Sequence, residues 1–303
     1  MRLSSALLLL IAFSCTNTGA KLLAEKTKEG VTVTEGGKGV LFYQFMPQSV
    51  NGLYTRAGFV HPLFDLWGDT LTENAPEDHP YHRGVFWAWH QVTRNGKKIA
   101  DGWISENIRF EPVTLNTNTN NGKAHIDAQL NWVIHSETGK ADTIIRESTA
   151  IVVYPAADSC RRIDFDITLT PLADSIALGG SDDMKGYGGF CLRVKLSPDV
   201  IFRSGDTVVE PQETAVYAKP WMDITGISPD SHHKSGIAIL AYQPAQQPCP
   251  WILRTATSMQ NVPFPGRKPA ILPPAGWHLK YSLLVHARAM DDETLQRYYS
   301  DHP

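Results

Sequence analysis

The 303-residue chain is 42% hydrophobic and 19% charged, an ordinary globular composition that excludes a disordered polymer. Its formal net charge of −3 leaves no polybasic surface and argues against nucleic acid as a partner. Length alone admits one large β domain or two medium ones.

At the N-terminus Arg2 precedes the apolar run Ala6 to Phe13, too short to span a bilayer and suited to a targeting segment. Ala12-Phe13-Ser14-Cys15 resembles the bacterial lipobox, in which small residues precede a cysteine that takes the lipid. Residues 1–20 are therefore expected to be a lipoprotein signal and tether with Cys15 lipidated, and 21–303 a single mature domain. Its only membrane contact would be that anchor, at the periplasmic or cell-surface side; secretion after cleavage near Ala20 is the alternative. Cys160, Cys191 and Cys249 then remain, an odd set with no CxxC pair, which favours packed free thiols over disulfides or zinc.

The stretch from His61 to His90 holds four of the eleven histidines and three of the eight tryptophans. Charge-capable groups interleaved with flat rings suit a cleft for a polar, ring-shaped ligand, most simply a sugar. Its sharpest part is Asp78-His79-Pro80-Tyr81-His82-Arg83-Gly84. Pro80 fixes its own φ and turns His79 away from helical geometry, so this HxxH is not the helical pair of a zinc protease. In an extended loop His79 and His82 can act together as acid and base, or join a third ligand on a metal, while Arg83 can grip a carboxylate or two hydroxyls. Gly84 opens an apolar strand, Val85 to Trp89, which offers Trp87 for stacking and ends at His90, where a side chain can enter a cleft. Of the nearby acids Asp65, Asp69, Glu73, Glu77 and Asp78, one can be a proton-transfer partner; most are expected at the surface.

Further along, apolar residues fall on every second position in Ile126–Ile134, Ile163–Leu169, Phe190–Leu196 and Leu279–Val285. That alternation reads as strands with one buried face, the habit of antiparallel sheets. Turn signals at Glu35-Gly36-Gly37, Arg94-Asn95-Gly96, Asn120-Asn121-Gly122, Ser204-Gly205-Asp206 and Pro273-Pro274-Ala275-Gly276 separate the runs. Glu147 is notable as an acid in mid-strand.

Asp182 to Gly189 sets Lys185 and Tyr187 among three glycines, which permit close backbone approach to a ligand; the Walker spacing is missing. Trp221-Met222-Asp223 pairs an indole with a carboxylate, a combination that stacks and hydrogen-bonds a pyranose. His232-His233 follows, and Trp251 with Arg254 could complete a rim. Two Pro-rich stretches, 243–250 and 263–274, read as long loops. Asp291 to Tyr299 is the one good helical pattern, with acids at its start. Many strands without βαβ alternation predict an all-β fold, a single large antiparallel β-sandwich with a short C-terminal helix.

Several of these segments resemble a bacterial family labelled PmoA-like or methane oxygenase-like. The resemblance rests on His61-Pro62-Leu63, Leu71 to Gly84, Phe86-Trp87, Lys185 to Phe190, Pro220 to Gly226 and Gly236 to Leu240. It spans roughly residues 30 to 300. The chain departs from the pattern after Leu240, where Tyr242 to Pro250 lacks the family's histidine and further prolines. The label misleads, since no membrane span follows the signal. The resemblance implies a supersandwich like that of galactose mutarotases and some polysaccharide lyases, in glycan-degrading bacteria.

The expected function is a carbohydrate-active enzyme with His79, His82 and Arg83 catalytic and His90, Trp87, Lys185, Tyr187, Trp221 and Asp223 binding the sugar, without cofactor. Hydrolase, lyase and epimerase stay open; the lack of an obvious carboxylate pair favours the last two. A non-catalytic carbohydrate-binding lipoprotein and a metal-dependent sugar enzyme are the alternatives.

Overall fold

The structure is a computed structural model that describes residues 21–135, 139–227, 233–242, 248–255 and 259–301. The expected signal, Cys15 and the lipid anchor lie outside the described residues, as do His232 and the start of the first Pro-rich loop.

Two antiparallel sheets face each other in an all-β sandwich. The first has seven strands in the spatial order Leu22–Lys26, Gly30–Glu35, Lys38–Gln44, Phe59–Leu63, Val85–Trp89, Gly188–Arg193 and Met259–Pro263. The second has nine, in the order Ile108–Asn120, Lys123–His135, Ala141–Val153, Cys160–Pro171, Trp277–His286, Ser235–Ala241, Trp221–Ile227, Leu196–Ser204 and Thr207–Val208. Alternation gives the reason. Ile163, Phe165, Ile167 and Leu169 are buried while Asp164, Asp166 and Thr168 between them keep access to water.

The inner faces meet through aromatic rings. Phe165 stands edge-on to Trp87 (6.5 Å between centroids) and to Phe190 (5.4 Å), and Phe190 stacks on Tyr281 at 4.3 Å. Each such ring taken from water contributes about 1.5–3 kcal/mol, and one contiguous core runs through both sheets. Asn-Gly pairs with positive φ at both residues, Asn95-Gly96 and Asn121-Gly122, close the tight hairpins.

The expected strand Phe190–Leu196 is corrected in one respect. Gly188–Arg193 is buried on both faces, because its outer side is covered as well. After Arg193 the chain crosses over, and Leu196–Ser204 joins the other sheet.

The C-terminal helix, Asp292–Ser300, is capped by Asp291, whose carboxylate accepts from the Thr294 amide at 2.7 Å. It lies on the outer face of the nine-stranded sheet, with Leu295 against Trp221, Leu240 and Leu284. Cys160, Cys191 and Cys249 are free and buried, as the odd count implied. Among the described residues no helix is long and apolar enough to cross a membrane.

Candidate functional site

The outer face of the seven-stranded sheet is dry at its centre. Phe59, Phe86, Ala88, Cys191 and Met259 form a small second core there, roofed by Trp103 with Tyr81, Ile104 and Tyr187 at its edge. Above it opens a cleft of about 250 Å³ lined by His79, Tyr81, His82, His90, Trp103, Asp183, Lys185, Tyr187, Arg254 and Met259. Five sequence-predicted residues, His79, His82, His90, Lys185 and Tyr187, thus come together from separate parts of the chain.

The histidine loop is tightly folded. The His79 amide donates to the Pro76 carbonyl (3.0 Å), the His82 amide to the His79 carbonyl (2.9 Å) and the Ala75 amide to the His82 carbonyl (2.9 Å). The His79 and His82 rings consequently stack, 4.6 Å apart and 1° from parallel. Imidazole lone pairs lie in the ring plane and parallel planes do not meet, so this pair cannot grip one metal ion together. Among the described residues no group of three His, Cys, Asp or Glu side chains is placed to hold a metal.

Beneath the loop lies Arg193, 3% exposed. It donates to Glu73 (2.8 Å), to both oxygens of Asp78 (2.9 and 3.0 Å) and to Nδ1 of His82 (3.4 Å). Burial, with the neighbouring charges of His79 and Arg193, pushes His82 down to about 3, so it is neutral and its proton sits on Nε2. His79 is set the other way, its Nδ1 donating to Asp78 at 2.8 Å. Burial alone would raise the Asp78 carboxyl, but hydrogen bonds from His79 and Arg193 outweigh it and hold it below the usual range.

A second pair faces the same cleft. His90 Nδ1 donates to Asp101 at 3.0 Å, and its ring stacks on Trp103 at 4.9 Å and 15°. Asp101 also accepts from the amides of Trp103 (2.9 Å) and Ile104 (3.3 Å) and from Lys98 (3.1 Å). Burial raises the Asp101 carboxyl, yet His90 and Lys98 together leave it lowered. From the protein interior, Arg56 donates to the carbonyls of Gly102 and Trp103, with its guanidinium 4.6 Å above the Phe110 ring. Burial brings Arg56 down to about 10, still charged at neutral pH.

The glycine-rich segment closes the opposite wall. Asp183 folds it by accepting from Ser181 (2.6 Å) and from the amides of Lys185 (2.9 Å) and Gly186 (3.1 Å). Gly186 there has φ of 70°, where a side chain would be strained. Tyr187 is tilted against Trp103 at 5.7 Å, and the Arg254 guanidinium lies 5.5 Å from its ring. Gln260, wholly buried, fixes Arg254 by pairing with both its amide (3.1 Å) and its carbonyl (2.7 Å).

Four expected site residues lie elsewhere. Arg83 is fully buried and turned from the cleft, donating to Asn74 and to the carbonyls of Gln48 and Tyr54. Trp87 points inward, because residues 87 and 89 of its strand face the core while 86 and 88 face the cleft. Trp221 sits under the C-terminal helix, its indole donating to Asp292 at 3.2 Å. Asp223 is buried there too, 2.7 Å from His286 Nε2. Trp251 of the expected rim is a core residue. Conversely Asp101, Trp103 and Arg193 carry no sequence signal. Asp101 and Trp103 are brought to His90 by the hairpin of Gln91–Arg94 and Lys97–Ala100, and Arg193 is brought to His82 by the pairing of Gly188–Arg193 with Val85–Trp89.

The fold and cleft define an all-β sandwich with an aromatic, histidine-lined site on one outer face. The chain belongs to a family of unknown function, DUF6807, whose model matches residues 30–300. No curated protein matches it in sequence. Among solved structures, a GH36 alpha-galactosidase, AgaA from Geobacillus stearothermophilus, is similar at 10% identity and a TM-score of 0.34. The match covers 89% of this chain and 41% of that one, so the chain spans less than half the length of that protein; a likeness this slight carries no assignment.

Proposed function

We propose that this protein is a carbohydrate-active enzyme that works by histidine acid/base chemistry in the Trp103 cleft. One observation carries the reading. His79 and His90, on one cleft, each give the Nδ1 proton to a carboxylate, 2.8 and 3.0 Å away. That fixes the tautomer and leaves the lone pair on Nε2, the form in which an imidazole takes up a proton. Trp103, Tyr81 and Tyr187 supply the ring faces on which a pyranose lies. Asp183, the lining carboxylate, spends one oxygen on three donors of its own loop, so the carboxylate pair of a glycoside hydrolase is lacking among the described lining residues. This favours a lyase or epimerase.

The reading includes the setting. The apolar N-terminal run and Cys15 favour a lipid-anchored protein outside the cytoplasm. The resemblance to the PmoA-like family favours a glycan-degrading bacterium.

The test is a panel of glycans offered to purified mature protein, followed by His79→Ala and His90→Ala. Turnover lost in both variants with sugar binding retained is the expected result. Binding with no turnover to lose would make it a non-catalytic binder, and a protein that binds no sugar would end the carbohydrate reading.

A further inference from the structure

Two cations on the cleft wall form no ion pair among the described residues, though Lys185 has a carboxylate, Asp183 of its own loop, within electrostatic reach. Lys185 and Arg254 flank Tyr187, and no carboxylate among the described residues pairs with either. Arg254 is held instead by three backbone carbonyls, those of Gln212, Leu253 and Glu213. Those bonds orient the guanidinium without neutralising it. The other charged groups near the cleft are held already: Arg193 by Glu73 and Asp78, Asp101 by His90 and Lys98, Arg267 by Asp182, and Asp183 by Ser181 and two amides of its own loop. A guanidinium oriented by carbonyls and paired with no acid, with Lys185 across Tyr187 from it and rings and proton carriers beside it, is arranged for an anionic ligand.

We propose that the cleft takes a glycan bearing a sugar carboxylate, a uronate, with that carboxylate against Lys185 and Arg254, and that it breaks the chain by β-elimination. This rests on the carbohydrate reading above. The chemistry follows from the charge. A carboxylate neutralised by two cations acidifies the C5–H bond next to it. One of His79 and His90 takes that proton, the C–H electron pair becomes the C4=C5 double bond, and the C4–O bond breaks. The departing oxygen takes a proton from the other histidine, which enters the cycle as the imidazolium, protonated on Nε2 as well as Nδ1. Proton transfer between the histidines through solvent resets the site, and no water, oxidant or reductant is consumed.

A leaving chain needs room, and the neighbouring surface provides it. A second groove of about 500 Å³ is lined by Leu53, Tyr54, Ile104 and Phe110. It shares a wall with the histidine cleft, since Tyr54 meets Tyr81 edge-on at 5.6 Å and Ile104 follows Trp103 in the chain.

The experiment uses the mature protein with polygalacturonate and alginate, and with fully methyl-esterified pectin as the uncharged counterpart. The expected results are binding to an acidic polymer at least about tenfold tighter than to the ester, and ultraviolet absorbance from an unsaturated uronate product. Lys185→Gln and Arg254→Gln should each weaken acidic binding by about tenfold, the worth of one charge-assisted contact, with melting temperature showing that each variant is folded. Equal binding of acid and ester, with Lys185→Gln indifferent, would overturn the uronate assignment while sparing the sugar reading. Selective acidic binding without unsaturated product would overturn the elimination step. Failure to bind neutral or acidic sugars would end both this inference and the reading it rests on.

Discussion

Nδ1 of His90 sits 3.0 Å from Oδ2 of Asp101, while the other oxygen of that carboxylate accepts the amides that turn the chain into Trp103. One side chain thus orients the imidazole and places the indole stacked on it. Asp101→Asn keeps the oxygen for the two amides, so stability should fall by only about 1 kcal/mol. Turnover should fall far more, by roughly a hundredfold or more, as when a histidine loses its orienting carboxylate. Asp101→Ala removes both functions and should cost about 2–3 kcal/mol. Urea denaturation of the two variants separates the effects.

His82 should stay neutral in the native protein at pH 5. Burial lowers it to about 3, and His61, half-buried and hydrogen-bonded to Thr72 at 2.9 Å, is lowered to about 4. Both folded values lie below the unfolded value near 6.5, so the stability they contribute is full above pH 6.5 and is lost as pH falls through the folded values. Imidazole NMR titration should show two histidines that do not protonate before acid unfolding. His82→Asn should shallow the loss of urea stability between pH 6 and 4; an unchanged slope would contradict the assignment.

Glu147 should act in the opposite sense. It is 2% exposed; burial raises its carboxyl, partly offset by hydrogen bonds from the indoles of Trp132 (2.8 Å) and Trp87 and from Thr149 (3.2 Å). A raised folded value means stability present below the unfolded value of about 4.5 and lost as pH rises through the folded one. Glu147→Gln should remove that component, so the variant gains on wild type between pH 5 and 8 in matched urea titrations.

Arg193 is the clamp under the histidine loop. Arg193→Gln removes the partner of Glu73 and Asp78, both partly open to water, and should cost about 1–2 kcal/mol. The loss should be local. Hydrogen exchange across residues 73–84 should accelerate well before exchange in Cys160–Pro171, whose pairing the substitution does not touch.

Asp223→Ala should leave sugar binding intact. His286, 2% exposed, already has Nδ1 without a partner, and the substitution would orphan Nε2 as well. The expected result is a loss of about 2–4 kcal/mol with unchanged affinity for any glycan the cleft binds. A selective loss of affinity would return Asp223 to the site.

Much of the architecture could be read from periodicity, since Ile163, Phe165, Ile167 and Leu169 face inward as their spacing requires. The histidine loop was legible because Pro80 restricts it and its ring-bearing residues are crowded into one segment. The facing of Trp87 was not: in a strand buried on both sides, both parities are apolar, so nothing in Val85–Trp89 tells core from cleft. Trp221-Asp223 suggested a sugar platform, but residues 221 and 223 share the face that the C-terminal helix covers. Asp101, Trp103 and Arg193 were invisible for a different reason. Arg193 depends on pairing between Val85–Trp89 and Gly188–Arg193, which joins residues about a hundred positions apart, whereas Asp101 and Trp103 come to His90 by the register of the short Asn95-Gly96 hairpin, in which Val92 faces Ala100.

The opposed faces of Val85–Trp89 set a rule for how this family can change in length. A one-residue slip of this strand against its neighbours would exchange the two parities, sending Phe86 and Ala88 to the interior and the indoles to the ligand side. A slip of two would preserve both. Insertions and deletions tolerated within this strand should therefore come in even numbers, a signature that a set of related sequences would display without any measurement of activity.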